Sequence, residues 1–253
     1  MRRSISEIRH LYYLAAILLV FNPEPIQGQE NEHYSEFRTE VSTLLIDYRL
    51  EEALTLCKNS DESKREVIAA KSVVYSLMGN KDKDESVIKK GFDLVKPYLS
   101  LKDDYDIHVA LAVSYGMQAN HSGLKDKIEF ADLSVHHCKD ALELNPNLPH
   151  PNFILGRFYF ELSEMSKMTA EMAKAVIDKE EIDRASYDLA LSYLVKASEI
   201  APTRFLYNYY TGLAYQKSGN EERANHYYRL ADKNTRHSED DEKADKDLQK
   251  ELK

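Results

Sequence analysis

From Ser35 onward, apolar residues recur three and four positions apart, and very little interrupts them. A stripe with that period is buried by an α-helix, whose turn takes about 3.6 residues. Breaks fall at Asn59–Ser60, Gly79–Asn80, Leu101–Asp103, Asn145–Pro149, Ala201–Thr203 and Gly219–Asn220. They cut the chain into roughly ten helices of ordinary length. Eight glycines and seven prolines in 253 residues are too few for a β-sandwich or barrel, which needs a turn about every ten residues. Helix following helix with short connections predicts an all-α chain of stacked hairpins, and a chain of that kind is tested by looking for internal repeats.

The repeats are present. Gly212, Tyr215, Gly219, Ala224, Tyr228 and Ala231 hold the small and aromatic positions of a tetratricopeptide (TPR) motif in its spacing. A shift of 34 residues carries Ala231, Tyr228 and Ala224 onto Ala197, Leu194 and Ala190. A further shift of 56 reaches Ala141, Cys138 and Ser134, and the same 56 relates Pro202 to Pro146 and Gly212 to Gly156. The excess of 22 residues is an insertion between Tyr159 and Ala190. Met165, Met168, Met172 and Val176 follow helical spacing there, and Asp178 with Glu181 resembles a capping box, so the insertion is expected to be helical and packed. In each unit the small residue lets the second helix come close, the aromatic packs across the pair, and Pro ends the second helix. The N-terminal half repeats less cleanly. Tyr75 and Gly79 keep the four-residue step, with Ile88 and Gly91 on the buried face of the helix that follows. Leu44, Ala53 and Cys57 suggest an earlier degenerate unit, and Tyr115 opens one whose second helix, Ser134–Ala141, comes about ten residues late. End units pack on one neighbour only and tolerate such irregularity. The fold class expected is a TPR-like helical-hairpin solenoid over residues 29–236, followed by a charged tail at 237–253.

Residues 1–28 read as an address. Arg2, Arg3 and Arg9 precede eleven apolar residues, Leu11 to Phe21, and a polar exit follows. That is the plan of a secretory signal peptide. Eleven helical residues rise about 16 Å, against about 30 Å of bilayer core. The protein is therefore expected to be exported, periplasmic or secreted, with cleavage after Gly28; left uncleaved, the segment would serve as a membrane anchor. Export permits disulfides, yet only Cys57 and Cys138 are present, and both fall on core faces of second helices in separate units. They are expected to stay apart as thiols. A net charge of −9 argues against a nucleic-acid partner.

The stretches HHCKDALELNP (His136–Pro146), LGRF (Leu155–Phe158), ASEIAP (Ala197–Pro202) and KKGFDL (Lys89–Leu94), with the long insertion after LGRF, resemble the regulator of microtubule dynamics family. The resemblance covers roughly residues 35–235 and implies irregular TPR-like helices. Phe158 stands where the family usually has Trp, and the leader looks cleavable rather than anchoring. Bacterial envelope proteins share this architecture, so the resemblance is taken to imply the fold and not a tubulin partner.

Chemistry is sparse. No nucleophile elbow, phosphate loop, HExxH or CxxC occurs, and the chain is read as a non-enzyme without a cofactor. His136, His137 and Cys138 are adjacent, and neighbours on a helix point about 100° apart, so no metal site is expected. Asp103, Asp104 and Asp106 lack the Gly and terminal Glu of a calcium loop and suit the start of a helix instead. The inner face of each first helix lines the groove of a TPR array. The recurring positions select His150, Phe153, Arg157, Phe160 and Glu161 in one unit. They select Leu206, Tyr209, Leu213, Gln216 and Lys217 in the last unit, and Val109, Val113 and Met117 in the one before. Phe153, Arg157, Phe160, Tyr209, Leu213 and Gln216 form the candidate groove for a protein or peptide partner, where aromatic residues supply area and Arg157 could receive a carboxylate. Two readings stand: an interaction scaffold, and a structural oligomer joined through Tyr207, Tyr209, Tyr210, Tyr227 and Tyr228.

The leader reading is checked by intact mass of the protein from its native compartment, which should begin at Gln29. A chain still carrying residues 1–28 would refute cleavage.

Overall fold

The computed structural model describes residues 32–174 and 177–252. The leader read at 1–28 and Val176 of the insertion lie outside the described residues. Among the described residues there is no strand, so the all-α class expected from the periodicity is the one found. The chain forms two compact units, divided in sequence between Pro151 and Asn152.

The N-terminal unit holds α1 (Glu32–Ile46), α2 (Leu50–Asn59), α3 (Arg65–Asp82), α4 (Glu85–Val95), α5 (Tyr105–His121) and α6 (Leu124–Leu144). Helix α5 is its interior. Residues 105–117 are buried without interruption, as suits a helix that lacks a polar face. Helices α3, α4 and α6 pack around it. Two of its polar side chains find partners on neighbouring helices. Ser114 shares hydroxyl hydrogen bonds with Ser72 (3.2 Å) and Ser76 (2.9 Å) of α3. Arg38 of α1 donates to Asp106 at 2.7 Å. The carboxylate of Asp104 caps α5 by accepting from the Ile107 amide at 3.2 Å. Asp104 thus has the capping role expected of this cluster, whereas Asp106 is buried against Arg38. Gly91 of α4 lies so close to α3 that a Cβ there would meet the Ser72 carbonyl oxygen at 2.6 Å.

Helix α6 answers the apparent lag of its unit. It starts at Leu124 and runs for 21 residues, so the ten residues ahead of Ser134 are extra helical turns. Cys57 and Cys138 are both buried free thiols, and burial pushes the Cys57 thiol up to about 12.

The C-terminal unit takes in α7 (Pro149–Ser163), whose first residues precede the division. It continues with α8 (Lys167–Ala173), α9 (Lys179–Arg184), α10 (Tyr187–Ile200), α11 (Phe205–Lys217), α12 (Glu221–Lys233) and α13 (Glu239–Glu251). The repeat arithmetic becomes visible as packing. A Cβ on Gly212 of α11 would meet the Tyr228 ring at 2.6 Å and the Ala224 carbonyl oxygen at 3.2 Å, both on α12. A Cβ on Gly156 of α7 would meet the Leu194 side chain at 2.6 Å and the Ala190 carbonyl oxygen at 3.0 Å, both on α10. Gly156, Ala190 and Leu194 therefore stand to one another as Gly212, Ala224 and Tyr228 do, although the first set is separated by the insertion. Between α11 and α12 the turn is closed by Gly219 at φ +85°, a conformation that costs other residues about 1–2 kcal/mol.

The insertion is helical, in two pieces. Asp178 caps α9 by accepting from the Glu180 amide at 3.0 Å, and Ile177 is buried. The methionine stripe does not form as expected. Met165 precedes α8, and Met168 is 59% exposed, because a helix confined to Lys167–Ala173 is too short to carry all four positions. The segment set apart as a charged tail contains α13, which Ser238 caps by accepting from the Asp241 amide at 3.1 Å. Asp241, Ala244 and Leu248 of α13 are buried.

A side chain at the α11–α12 crossing should be costly. Gly212→Leu is expected to destabilise by about 2–3 kcal/mol through overpacking against Tyr228. Gly123→Ser, at an open helix N-cap, should stay within about 0.5 kcal/mol of wild type. Urea denaturation of both variants checks the contrast.

Candidate functional site

Helices α7 and α11 carry the residues singled out for the groove. The structure brings four of them together in the interior of the C-terminal unit. Phe153 is 0% exposed, Arg157 and Phe160 4%, and Tyr209 8%. Leu213 and Gln216 are half-buried. Of the other positions chosen by the same spacing, Val109, Val113, Met117, His150 and Leu206 are buried, Glu161 is half-buried and Lys217 is exposed.

The rings interlock. Phe153 stacks on Tyr207 with centroids 4.5 Å apart and meets Tyr210 edge-on at 5.8 Å. Phe160 meets Tyr210 at 6.3 Å and Tyr209 meets it at 5.3 Å, both edge-on. The Arg157 guanidinium carbon sits 4.7 Å from the Tyr210 ring centroid, within cation–π range. Tyr210 is the centre of this box and was not selected by the repeat spacing, which picks its neighbour Tyr209. The doubled tyrosine was the only sequence cue to it.

Electrostatics give the box its character. Arg157 Nε lies 3.8 Å from Glu161 Oε1, an ion pair one helical turn along α7. That is too long for a hydrogen bond, and Nε is buried with no hydrogen-bond partner among the described residues. Burial pushes the Glu161 carboxyl up to about 7, Arg157 pulls it down, and Glu164 adds to the rise. The Tyr210 hydroxyl is likewise held up at about 12 by burial, with Arg157 opposing. The guanidinium is thus buried against the Tyr210 ring and paired at long range with the Glu161 carboxyl.

Helix α13 packs along α11. Gln216 Nε2 donates to Glu251 Oε2 at 2.6 Å. Asp247 and Glu251 also help to raise the Tyr209 hydroxyl, after burial and the neighbouring Tyr210. The α11 part of the candidate face is therefore occupied by the chain's own C-terminal helix. The tyrosines read as an oligomer surface are largely spent internally: Tyr207, Tyr209 and Tyr228 are buried, and Tyr227 stacks on Tyr215 at 5.6 Å.

His136 is exposed and Cys138 buried, so these neighbours diverge, as helical geometry requires. His137 instead meets His108 of α5 and Asp140 of its own helix, a meeting that needs the pairing of two helices and leaves no local trace in the sequence.

A family model described as Regulator of microtubule dynamics protein 1-3 matches residues 38–253. Among curated relatives, Regulator of microtubule dynamics protein 3 of Rattus norvegicus is 27% identical over 176 residues, covering 69% of this chain and 35% of that protein. Regulator of microtubule dynamics protein 2 of Homo sapiens is 28% identical over 144 residues, covering 56% and 35%. Protein 2 of Rattus norvegicus is 23% identical over 222 residues, covering 82% and 53%. The chain spans about a third of the length of the first two relatives. All three are named as regulators, and none as an enzyme.

The raised value at Glu161 has a definite sign. Its neutral form favours the fold, so that stability is complete below about 4.5 and is lost as pH rises through about 7. Asp106, pushed up to about 7 by burial in spite of Arg38, supplies a similar slope in any variant that keeps it. Glu161→Gln cannot ionise and should show a shallower fall in stability than wild type between pH 4.5 and 7. Thermal denaturation across that range checks it, and parallel profiles would mean that Glu161 ionises normally.

Proposed function

The chain belongs to the regulator of microtubule dynamics family, and on that footing we propose that it is a non-catalytic interaction scaffold that takes a protein or peptide partner at the α7–α11 face around Arg157. Family membership supports an interaction role. The observation that favours this face is the buried Arg157, whose Nε has no hydrogen-bond partner among the described residues while its carboxyl neighbour stands off at 3.8 Å. A buried donor in that state gains from a better acceptor, and an arriving carboxylate supplies one.

Access to the α11 part of this face requires α13 to move. Its anchorage is light, because Leu248 and Ala244 are its buried apolar side chains, and burying one leucine contributes about 1.5–3 kcal/mol. Beside them the buried Asp241 carboxyl feels the attraction of Arg204, which partly offsets its burial. A partner with an apolar face and an acidic group could replace α13 on α11. With residues 1–28 taken as a leader, the proposal extends to an exported protein, periplasmic or secreted, or one held at a membrane if the segment is retained. None of the described helices is long and apolar enough to cross a membrane.

The test is capture from the native source with quantitative mass spectrometry, accompanied by co-sedimentation with microtubules as the probe that the relatives' names suggest. Arg157→Glu and Tyr209→Ala should each weaken the captured partner, by about 2 kcal/mol or more for the charge reversal. Leu248→Asp, which loosens α13, should strengthen it. Variants that fold normally, by thermal melting, and hold the partner at full affinity would move the site elsewhere.

A further inference from the structure

Helices α5 and α6 of the N-terminal unit place three ligand atoms around one point. His108 Nδ1 and His137 Nδ1 face each other at 3.0 Å. Asp140 Oδ2 lies 3.5 Å from the first and 3.8 Å from the second. Two neutral imidazoles can share one proton between facing nitrogens, which satisfies one Nδ1 with the other. The same two nitrogens with a carboxylate oxygen also describe three corners of a coordination sphere. A tetrahedral divalent ion with bonds of about 2.0–2.1 Å holds its ligand atoms about 3.3 Å apart. The three separations bracket that value, so an ion at their centre needs side-chain shifts of a few tenths of an ångström.

We propose that His108, His137 and Asp140 form an exchangeable site for a divalent transition-metal ion of the zinc class. Two imidazoles and one carboxylate are a donor set that suits zinc rather than calcium or magnesium, which prefer oxygen alone. His137 and Asp140 are three residues apart on α6 and so share a face, while His108 reaches them from α5. The His137 ring is oriented by Tyr115, on which it stacks at 5.7 Å with 4° between planes. His108 is 3% exposed, whereas the Asp140 side chain is half exposed. A hollow lined by His108, Asp140, Glu143 and Lys102 opens beside them. Three protein ligands with a solvent-facing fourth position is the arrangement of a labile site rather than a closed structural one. On binding, both Nδ1 atoms offer their lone pairs; the ring that held the shared Nδ1 proton gives it up to solvent and takes one from solvent at Nε2, so that each neutral imidazole ends with its single proton on Nε2. Adjacent residues cannot converge on an ion, which is why the sequence alone gives no metal site. The convergence here comes from the neighbouring helix.

The experiment is calorimetric titration of the chelator-treated full chain with zinc chloride, paralleled by cobalt chloride, whose visible absorption reports tetrahedral coordination. Wild type should take up one equivalent. Asp140→Asn and His137→Gln should each weaken binding by about tenfold or more and remove the tetrahedral cobalt bands. His136→Gln, one residue away and exposed, should bind within about twofold of wild type. Asp140 is exposed enough that its variant should fold, which circular dichroism checks. The proposal is overturned if wild type takes up no ion, or if folded Asp140→Asn and His137→Gln bind as tightly as wild type. Loss of binding in His136→Gln alone would also overturn it, by placing the ion on the surface.

Discussion

The crossing of paired helices at residues without side chains is the constraint on which the rest of this structure depends. At Gly212 and Gly156 the facing helix sits where a Cβ would be, with the Ala224 and Ala190 carbonyl oxygens 3.2 and 3.0 Å from that point. Contact at this range leaves little freedom of register. Once Gly212 is seated between Ala224 and Tyr228, the rotation of α11 about its axis is decided, and with it the direction in which Tyr209 and Tyr210 point. Gly156 does the same for α7, and so decides that Arg157 and Phe160 face inward. The aromatic box is a consequence of two glycines.

What the sequence disclosed follows from this. Small residues and tyrosines at a fixed step are a local pattern, and the 34- and 56-residue shifts that align them correspond to real crossings. The sequence was silent where structure arises from pairing at a distance. Nothing in the neighbourhood of His137 announces His108, 29 residues away on another helix. Helix α13 (EDDEKADKDLQKE) resembles a charged tail in sequence because its apolar positions are few. Its helix is secured by the Ser238 cap, and Arg236 bonds to Asp245. Met168 shows the opposite error: its spacing suits a helix stripe, but the helix is too short to use it. Phe153, Arg157, Phe160 and Tyr209 lie together, but their degree of burial cannot be read from periodicity, which says which residues share a face and not what covers it.

Arg157 and Glu161 illustrate how a helix can keep a charge inside without neutralising it. Burial alone would favour the uncharged carboxyl, and the guanidinium opposes that tendency without closing to hydrogen-bond distance. The Tyr210 ring faces the guanidinium and attracts it through its electron-rich face. A buried pair of this kind adds little to stability.

The insertion between α7 and α10 has a further meaning for how such chains change. The α11–α12 connection spans only Ser218–Asn220, whereas the α7–α10 connection spans Glu164–Ser186 and yet closes onto an equivalent crossing. Lengthening a loop by this factor costs about 2 kcal/mol of closure entropy, and contacts such as Tyr159 with Glu181 return part of it. The hairpin tip is thus a port at which new sequence can be grafted without disturbing the frame. Diversification within this lineage, or the placement of a foreign epitope by design, would find its least resisted route there.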